Sequence, residues 1–134
     1  KVTFIKWANG FRLPREWEWM IAAMAGTNNQ YSGATDVKAL KDVAWFPPNA
    51  NEESHPVAQK KPNEWGFYDM SDNVWEWCEN SYKPDNNKVS SASRVIRGGS
   101  WNYYAWSLRS AYRYHVSPGA RGDDVGFRVA RSVH

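Results

Sequence analysis

Any chemistry done by this chain would have to come from one thiol, three imidazoles and scattered carboxylates, and their spacing argues against each catalytic use. Cys78 stands alone, so an internal disulfide and a four-thiolate zinc site are both excluded; it is expected as a buried, inert thiol. His55, His115 and His134 are far apart in sequence, and no His-x-x-x-His pattern sets two imidazoles on one helical face. Glu76 and Glu79 could pair for general acid/base work, but no cleft residue accompanies them for such a pair to work on. Gly98-Gly99-Ser100 has the glycines of a phosphate loop without its lysine or its spacing, and no nucleophile elbow occurs.

Recognition chemistry is better served. Arg97-Gly98-Gly99-Ser100-Trp101, Arg109-Ser110-Ala111-Tyr112-Arg113 and Val125-Gly126-Phe127-Arg128 are stiff blocks. Between them lie positions of almost any character: Asn102, Tyr103, Tyr104, Trp106 and Ser107, then Tyr114, His115 and Val116, then Ala120, Gly122, Asp123 and Asp124. Fixed residues alternating with free ones lay out a binding face. Tyr103, Tyr104, Trp106, Tyr112 and Tyr114 offer large, rigid, amphipathic contact area at low rotamer cost, as paratopes do. About half of these aromatics are expected to turn inward, as alternate residues of a strand would. Arg109, Arg113 and Arg128 are expected to tie loop carbonyls or acidic groups and so belong to the frame.

The elements that hold this face must fit into 134 residues, which suits a single domain spanning 1–134. Nine Trp, seven Tyr and five Phe can hold a loop-rich fold together, because each ring buries much area. A net charge of +3, with the basic residues dispersed, makes nucleic acid a poor partner. There is no run of about 20 apolar residues for membrane insertion, and residues 1–10 lack the apolar middle of a signal peptide. One helix is clear: Pro14 suits its first turn, Glu16 and Glu18 its positive end, and Gly26 its close, with Trp17, Met20 or Ile21, and Met24 as a core-facing stripe. A short second helix is expected over residues 36–43. Strand-like pieces fall at 2–7, 66–68, 74–78, 95–97, 108–114 and 126–131, and residues 44–63 and 80–93 read as long loops. Together these describe an α+β domain.

Phe11-Arg12-Leu13-Pro14, with Glu16, Glu18 and Trp19, resembles the Arg-Leu-Pro-Thr-Glu-Ala-Glu-Trp signature of the formylglycine-generating enzyme, or sulfatase-modifying factor, family. His55-Pro56-Val57, Lys61-Pro62-Asn63-Glu64, Gly66-Phe67-Tyr68-Asp69-Met70, Asn73-Val74-Trp75-Glu76-Trp77, Arg97-Gly98-Gly99-Ser100-Trp101 and Gly126-Phe127-Arg128 follow in the family's order, through nearly the whole chain. The resemblance implies a C-type-lectin-like fold of the formylglycine-generating type, with small antiparallel sheets, one or two helices and long ordered loops. It also implies that Asn73, Trp75, Glu76 and Trp77 are internal, with Glu76 hydrogen-bonded or paired, since an unpartnered buried carboxylate is costly.

Catalytic members of that family carry two cysteines shortly after the Gly-Gly-Ser block, which bind copper and activate oxygen. Here the matching positions are Tyr103 and Leu108, and neither can supply a soft thiolate to copper(I). Copper, and with it oxidation of a substrate cysteine, is therefore not expected. Family members also hold calcium near the Asn-Val-Trp-Glu motif; the matching positions are Ser71, Asp72, Val74 and Glu76, with Asp72 standing where the family has glycine.

The C-terminal part further resembles the repeat of variable proteins from diversity-generating retroelements, in which adenine-directed mutagenesis varies chosen residues on a rigid lectin-like frame. Its varied positions match the free positions named above, together with Tyr112, within a region of about 97–128. This resemblance implies a non-catalytic protein of a microbe or its virus, displayed on a cell surface or virus particle, that grips a protein ligand or cell-surface receptor. The alternative is an enzyme using the same fold with unfamiliar catalytic residues. A deep pocket of titratable groups beside Trp101, in place of an open and shallow surface, would distinguish it.

Overall fold

Along the chain run β1 (Phe11–Arg12), α1 (Glu16–Met24), α2 (Val37–Leu40), β2 (Trp75–Ser81), β3 (Arg94–Arg97), a 3-10 turn (Ala105–Leu108), β4 (Tyr114–Val116), β5 (Val125–Gly126) and β6 (Ala130–Arg131). The computed structural model describes residues 10–83 and 92–132. Four strands form one sheet in the order β4-β3-β2-β5, and β1 pairs with β6 in a separate two-stranded ribbon. β3 is antiparallel to both β2 and β4, whereas β5 runs parallel to β2. The main sheet is thus mixed, not purely antiparallel as expected; the long chain between β2 and β5 gives room for the crossover that a parallel pair requires.

Side chains alternate across this sheet, and that alternation assigns its two faces. Glu76 and Cys78 on β2, with Val95 and Arg97 on β3, look toward α1: Cys78 and Val95 share a core cluster with Trp19, Ala23 and Met70. Trp75 and Trp77 point the other way. In register with Trp77 across the strands come Ile96 and then Tyr114. A second core cluster gathers Tyr31, Leu40, Val43, Ala44, Phe46 and Leu108, so part of the stretch expected as surface loop over 44–63 is interior. It contains no strand or helix, but its backbone is fixed by turns such as Asn49 and Ala50 N–H donating to the Phe46 carbonyl.

α1 does not bury the stripe that its apolar spacing suggests. Trp19 and Ala23 are inside, while Trp17 and Ile21 are 53% and 45% exposed. The reason is that the buried face is partly polar. Glu16 reaches the buried guanidinium of Arg97 at 2.7 Å, and the Trp19 indole N–H donates to Glu76 Oε2 at 2.6 Å, so these contacts set the helix's rotation. At the start, Glu18 accepts the Arg15 amide at 2.8 Å and takes both terminal nitrogens of Arg12; Pro14 lies just before the cap. At the end Ala25, with φ 48°, takes the left-handed conformation and Gly26 follows it.

Other expectations shift. α2 is shorter than residues 36–43, with the Asp36 carboxylate capping it through the Ala39 amide at 3.0 Å. Residues 66–68 form no strand and follow a turn at 64–65, and 108–114 run from the last residue of the 3-10 turn through irregular backbone to the first residue of β4. The stretch 126–131 breaks into β5 and β6, which join different sheets. The strand expected over 2–7, and most of the loop expected over 80–93, lie outside the described residues; Asn80 and Ser81 complete β2.

Candidate binding face

Trp75 is the base on which the face is built. It is buried, and three tyrosines surround its ring: Tyr103 edge-on at 5.2 Å, Tyr114 tilted at 5.5 Å and Tyr112 at 6.1 Å. Trp106 stands edge-on to Tyr112 at 5.1 Å and continues the cluster outward. Such tilted and edge-to-face pairs are the favoured aromatic geometries, so the outer rings are held in place by an inner one. Tyr104 is 72% and Trp106 49% exposed, and Tyr114 is also exposed; Tyr103 and Tyr112 are half-buried beneath them. Burial pushes the phenols of Tyr103 and Tyr112 above their ordinary range, and the neighbouring Tyr114 adds to both.

The backbone beneath is fixed by the expected frame. Gly98 and Gly99 take φ of 98° and 75°, and a Cβ on Gly99 would come within 2.6 Å of Leu108 Cδ1. The Trp101 amide donates to the Asn73 carbonyl, the Tyr103 amide to Ser100, and the Trp75 amide to Asp124. Arg128 donates to both oxygens of Glu76 at 2.6 and 2.7 Å and to the carbonyls of Tyr68 and Asp69. Arg113 holds Glu16, which also takes Arg97. Arg113 and Arg128 are therefore frame residues as expected, while Arg109 is exposed. Asn73, Trp75 and Glu76 are internal and Glu76 is paired; Trp77 is only half-buried.

Not every expected contact residue reaches the surface. Ser107 is fully buried and its hydroxyl donates to the Tyr104 carbonyl, because the 3-10 turn points it inward; it is frame, a correction to its expected place on the face. Asn102 is exposed and its side chain accepts the Ser100 hydroxyl. His115 stacks on Tyr82 at 4.1 Å, a partner too far along the chain for any local signal to indicate. Val116, at the end of β4, is half-buried; along the loop leading into β5, Ala120 and Asp124 are half-buried and Gly122 and Asp123 exposed. The two positions that would carry thiols are the half-buried Tyr103 and the fully buried Leu108. Cys78 is buried, and desolvation pushes its thiol up to about 12.

Of the positions expected for calcium, the Glu76 carboxylate and the Ser71 hydroxyl already have partners. Glu76 has both oxygens engaged by Arg128 and one of them also by Trp19. The Ser71 hydroxyl already accepts the Ser32 amide. Among the described residues no three His, Cys, Asp or Glu side chains group to hold a metal.

A separate cleft of about 410 Å³ lies on the other side of Asn73, and Trp101 does not line it. Its floor includes Asp69 and Asp72, each with one buried oxygen that has no hydrogen-bond partner. Burial pushes the Asp72 carboxyl well above the usual range; the amide of Trp45 opposes this, and Asp69 and Glu76 add to it.

Comparison with known proteins agrees with this architecture. Residues 2–133 match the sulfatase-modifying factor enzyme 1-like domain. The chain belongs to this formylglycine-generating, sulfatase-modifying factor family. Among solved structures it is similar to Treponema denticola variable protein 1, with a TM-score of 0.87 and 39% identity over 92% of this chain and 48% of that one. Among curated relatives it is 36% identical to the serine/threonine-protein kinase pkn1 of Chlamydia caviae, over 92% of this chain and 21% of the kinase. It is 33% identical to the inactive C-alpha-formylglycine-generating enzyme 2 of Mus musculus, over 92% of this chain and 44% of that protein. The chain thus spans between a fifth and about half of the length of these family proteins.

Proposed function

We propose that this domain is a non-catalytic ligand-binding module that grips a protein ligand, such as a cell-surface receptor, with its C-terminal aromatic face. The observation that carries the reading is the layered cluster over Trp75: an inner ring fixed by the frame, with Trp106 and Tyr114 projecting from it and Tyr104 exposed at the start of the 3-10 turn. Exposed aromatics gathered on a rigid base are the residues that dominate binding energy at protein interfaces. Two further points support it. The family's thiol positions hold Tyr103 and Leu108, and one structural neighbour is named a variable protein. In this reading Asn102, Tyr103, Tyr104, Trp106, Tyr112, Tyr114, His115, Val116, Ala120, Gly122, Asp123 and Asp124 are the positions diversified by a retroelement, and the protein is displayed on a microbial cell or virus particle.

Two measurements test the proposal. The DNA beside the coding sequence should contain a near-identical repeat that differs from residues 97–128 only at adenines, next to a reverse transcriptase. Loaded with copper(I) and offered a cysteine-containing peptide, the purified domain should consume no oxygen above background; sustained uptake with loss of the thiol would overturn the non-catalytic reading in favour of the enzyme.

A further inference from the structure

Arg109 is the arginine of the stiff blocks that the frame does not use. Arg97, Arg113 and Arg128 each pair with a carboxylate, whereas Arg109 is exposed and has no carboxylate partner among the described residues. It lines a second cleft, of about 350 Å³, together with Met24, Asn28, Asn29, Gln30 and Ala111. Asn28 and Gln30 are exposed, so their carboxamides and the guanidinium can all be reached from solvent. The backbone that carries them is pinned. Thr27 Oγ1 donates to the Met24 carbonyl at 2.8 Å and accepts the Asn29 amide at 3.2 Å, and the Ser110 amide donates to the Gln30 carbonyl at 2.9 Å. That last bond fastens the loop after α1 to the segment that holds Arg109.

The lining selects a small anion. A guanidinium has only donors, carboxamides can turn their N–H groups the same way, and no carboxylate among the described residues lines the cleft. Glu64, which touches a lining residue, accepts Asn29 Nδ2 at 3.1 Å and leaves Asn28, Gln30 and Arg109 to other partners. No aromatic ring among the described residues lines the cleft for a nucleobase to stack on. A phosphate group carries more charge than one guanidinium neutralises, and no glycine in the lining forms a backbone nest for it. A carboxylate matches both the single charge and the planar fork of arginine. Met24 and Ala111 give its stem an apolar wall.

We infer that this cleft binds a carboxylate carried on a short apolar stem, with Arg109 donating to both of its oxygens and Asn28 and Gln30 donating from the loop side. An acidic side chain of a partner protein and a free carboxylic acid present the same chemistry. The test is a backbone amide NMR titration of the chain with butyrate, butyramide and inorganic phosphate in turn, followed by a glutamate-containing peptide, capped at both ends, and its glutamine counterpart. Butyrate should give saturable shifts at Gln30, Arg109 and Ala111, with butyramide at least about fivefold weaker and phosphate no tighter than butyrate.

Arg109→Gln removes the charge at an exposed position and should weaken butyrate about fivefold or more. Should that variant fail to fold, Gln30→Ala, at an exposed carboxamide, should still weaken it about two- to threefold. Arg121→Gln removes another exposed guanidinium and should leave butyrate binding unchanged, which separates a site from the general attraction of an anion to a basic chain. Tighter binding of the glutamate peptide than of its glutamine form assigns the source to a partner protein; saturation by butyrate with the two peptides alike assigns it to a small molecule. Equal saturation by butyramide, tighter binding of phosphate, no saturable shifts with butyrate, or an equal loss from Arg121→Gln would each overturn the inference. Every variant leaves Tyr104, Trp106 and Tyr114 in place, so failure here leaves the aromatic face untouched.

Discussion

At the residue scale, the most informative side chain is Glu16, because its carboxylate neutralises a buried guanidinium. Its carboxylate takes Arg97, which is 1% exposed, and the half-buried Arg113 as well. Removing one partner of a buried pair leaves the other uncompensated, so Glu16→Gln should lower stability by about 3 kcal/mol, measured by urea denaturation at pH 7. Burial opposes ionisation of Glu16, but the hydrogen bonds and charges of Arg113 and Arg97 outweigh it and hold the carboxyl below its usual range. A depressed carboxyl contributes stability above its unfolded value and loses it as pH falls through the folded one. The gap between wild type and Glu16→Gln should therefore narrow on acidification below the ordinary glutamate range; a gap constant down to pH 3 would show that the ionic pairing is not the cause. Gly99 makes a steric argument at the same scale. A Cβ there meets Leu108 at 2.6 Å in a backbone with φ of 75°, so Gly99→Ala should cost about 2–3 kcal/mol and reduce the chain's melting temperature even though no polar contact is lost.

At the scale of elements, α1 shows how a helix can be read correctly in extent and wrongly in orientation. Its apolar spacing favours Trp17, Ile21 and Met24, yet the contacts of Glu16 with Arg97 and of Trp19 with Glu76 turn Trp19 and Ala23 inward. The expected outcome is a sharp asymmetry by calorimetry: Trp19→Ala should cost about 3–5 kcal/mol, while Ile21→Lys should stay within about 0.5 kcal/mol of wild type. Local signals carried the features whose partners are near in sequence, such as the Asp36 cap and the Glu18 contact at the start of α1. They failed where a partner lies far along the chain. The Glu16 to Arg97 pair joins residues 81 positions apart, and no periodicity encodes it. The same reason explains why 126–131 looked like one strand: Val125–Gly126 pairs with β2 and Ala130–Arg131 with β1, and only the tertiary arrangement divides them. Within the candidate site, the order of motifs identified the frame residues, but the 3-10 turn that sends Ser107 inward was not legible from residue types that suit any loop.

Across the whole molecule, the sheet separates two tasks by its two faces. Toward α1 it presents Glu76, Cys78, Val95 and Arg97, which fix the frame through ion pairs and packing. Away from α1 it presents Trp75, and the aromatic layer rests there without taking part in those pairs. A domain so divided can exchange its outer side chains while its stability is decided elsewhere, which is the property a diversified binder needs. The division is not perfect, since Tyr103 packs against the cluster containing Leu108 and leans on Trp75. Replacing Tyr104, Trp106 and Tyr114 together by alanine should therefore leave the melting temperature within about 4 °C of wild type, equivalent to roughly 1 kcal/mol for a domain of this size. Tyr103→Ala alone should lower it by more than that triple change. If the triple variant unfolds first instead, the outer rings are structural, and the aromatic layer is a core that happens to reach the surface and not a face held out for a partner.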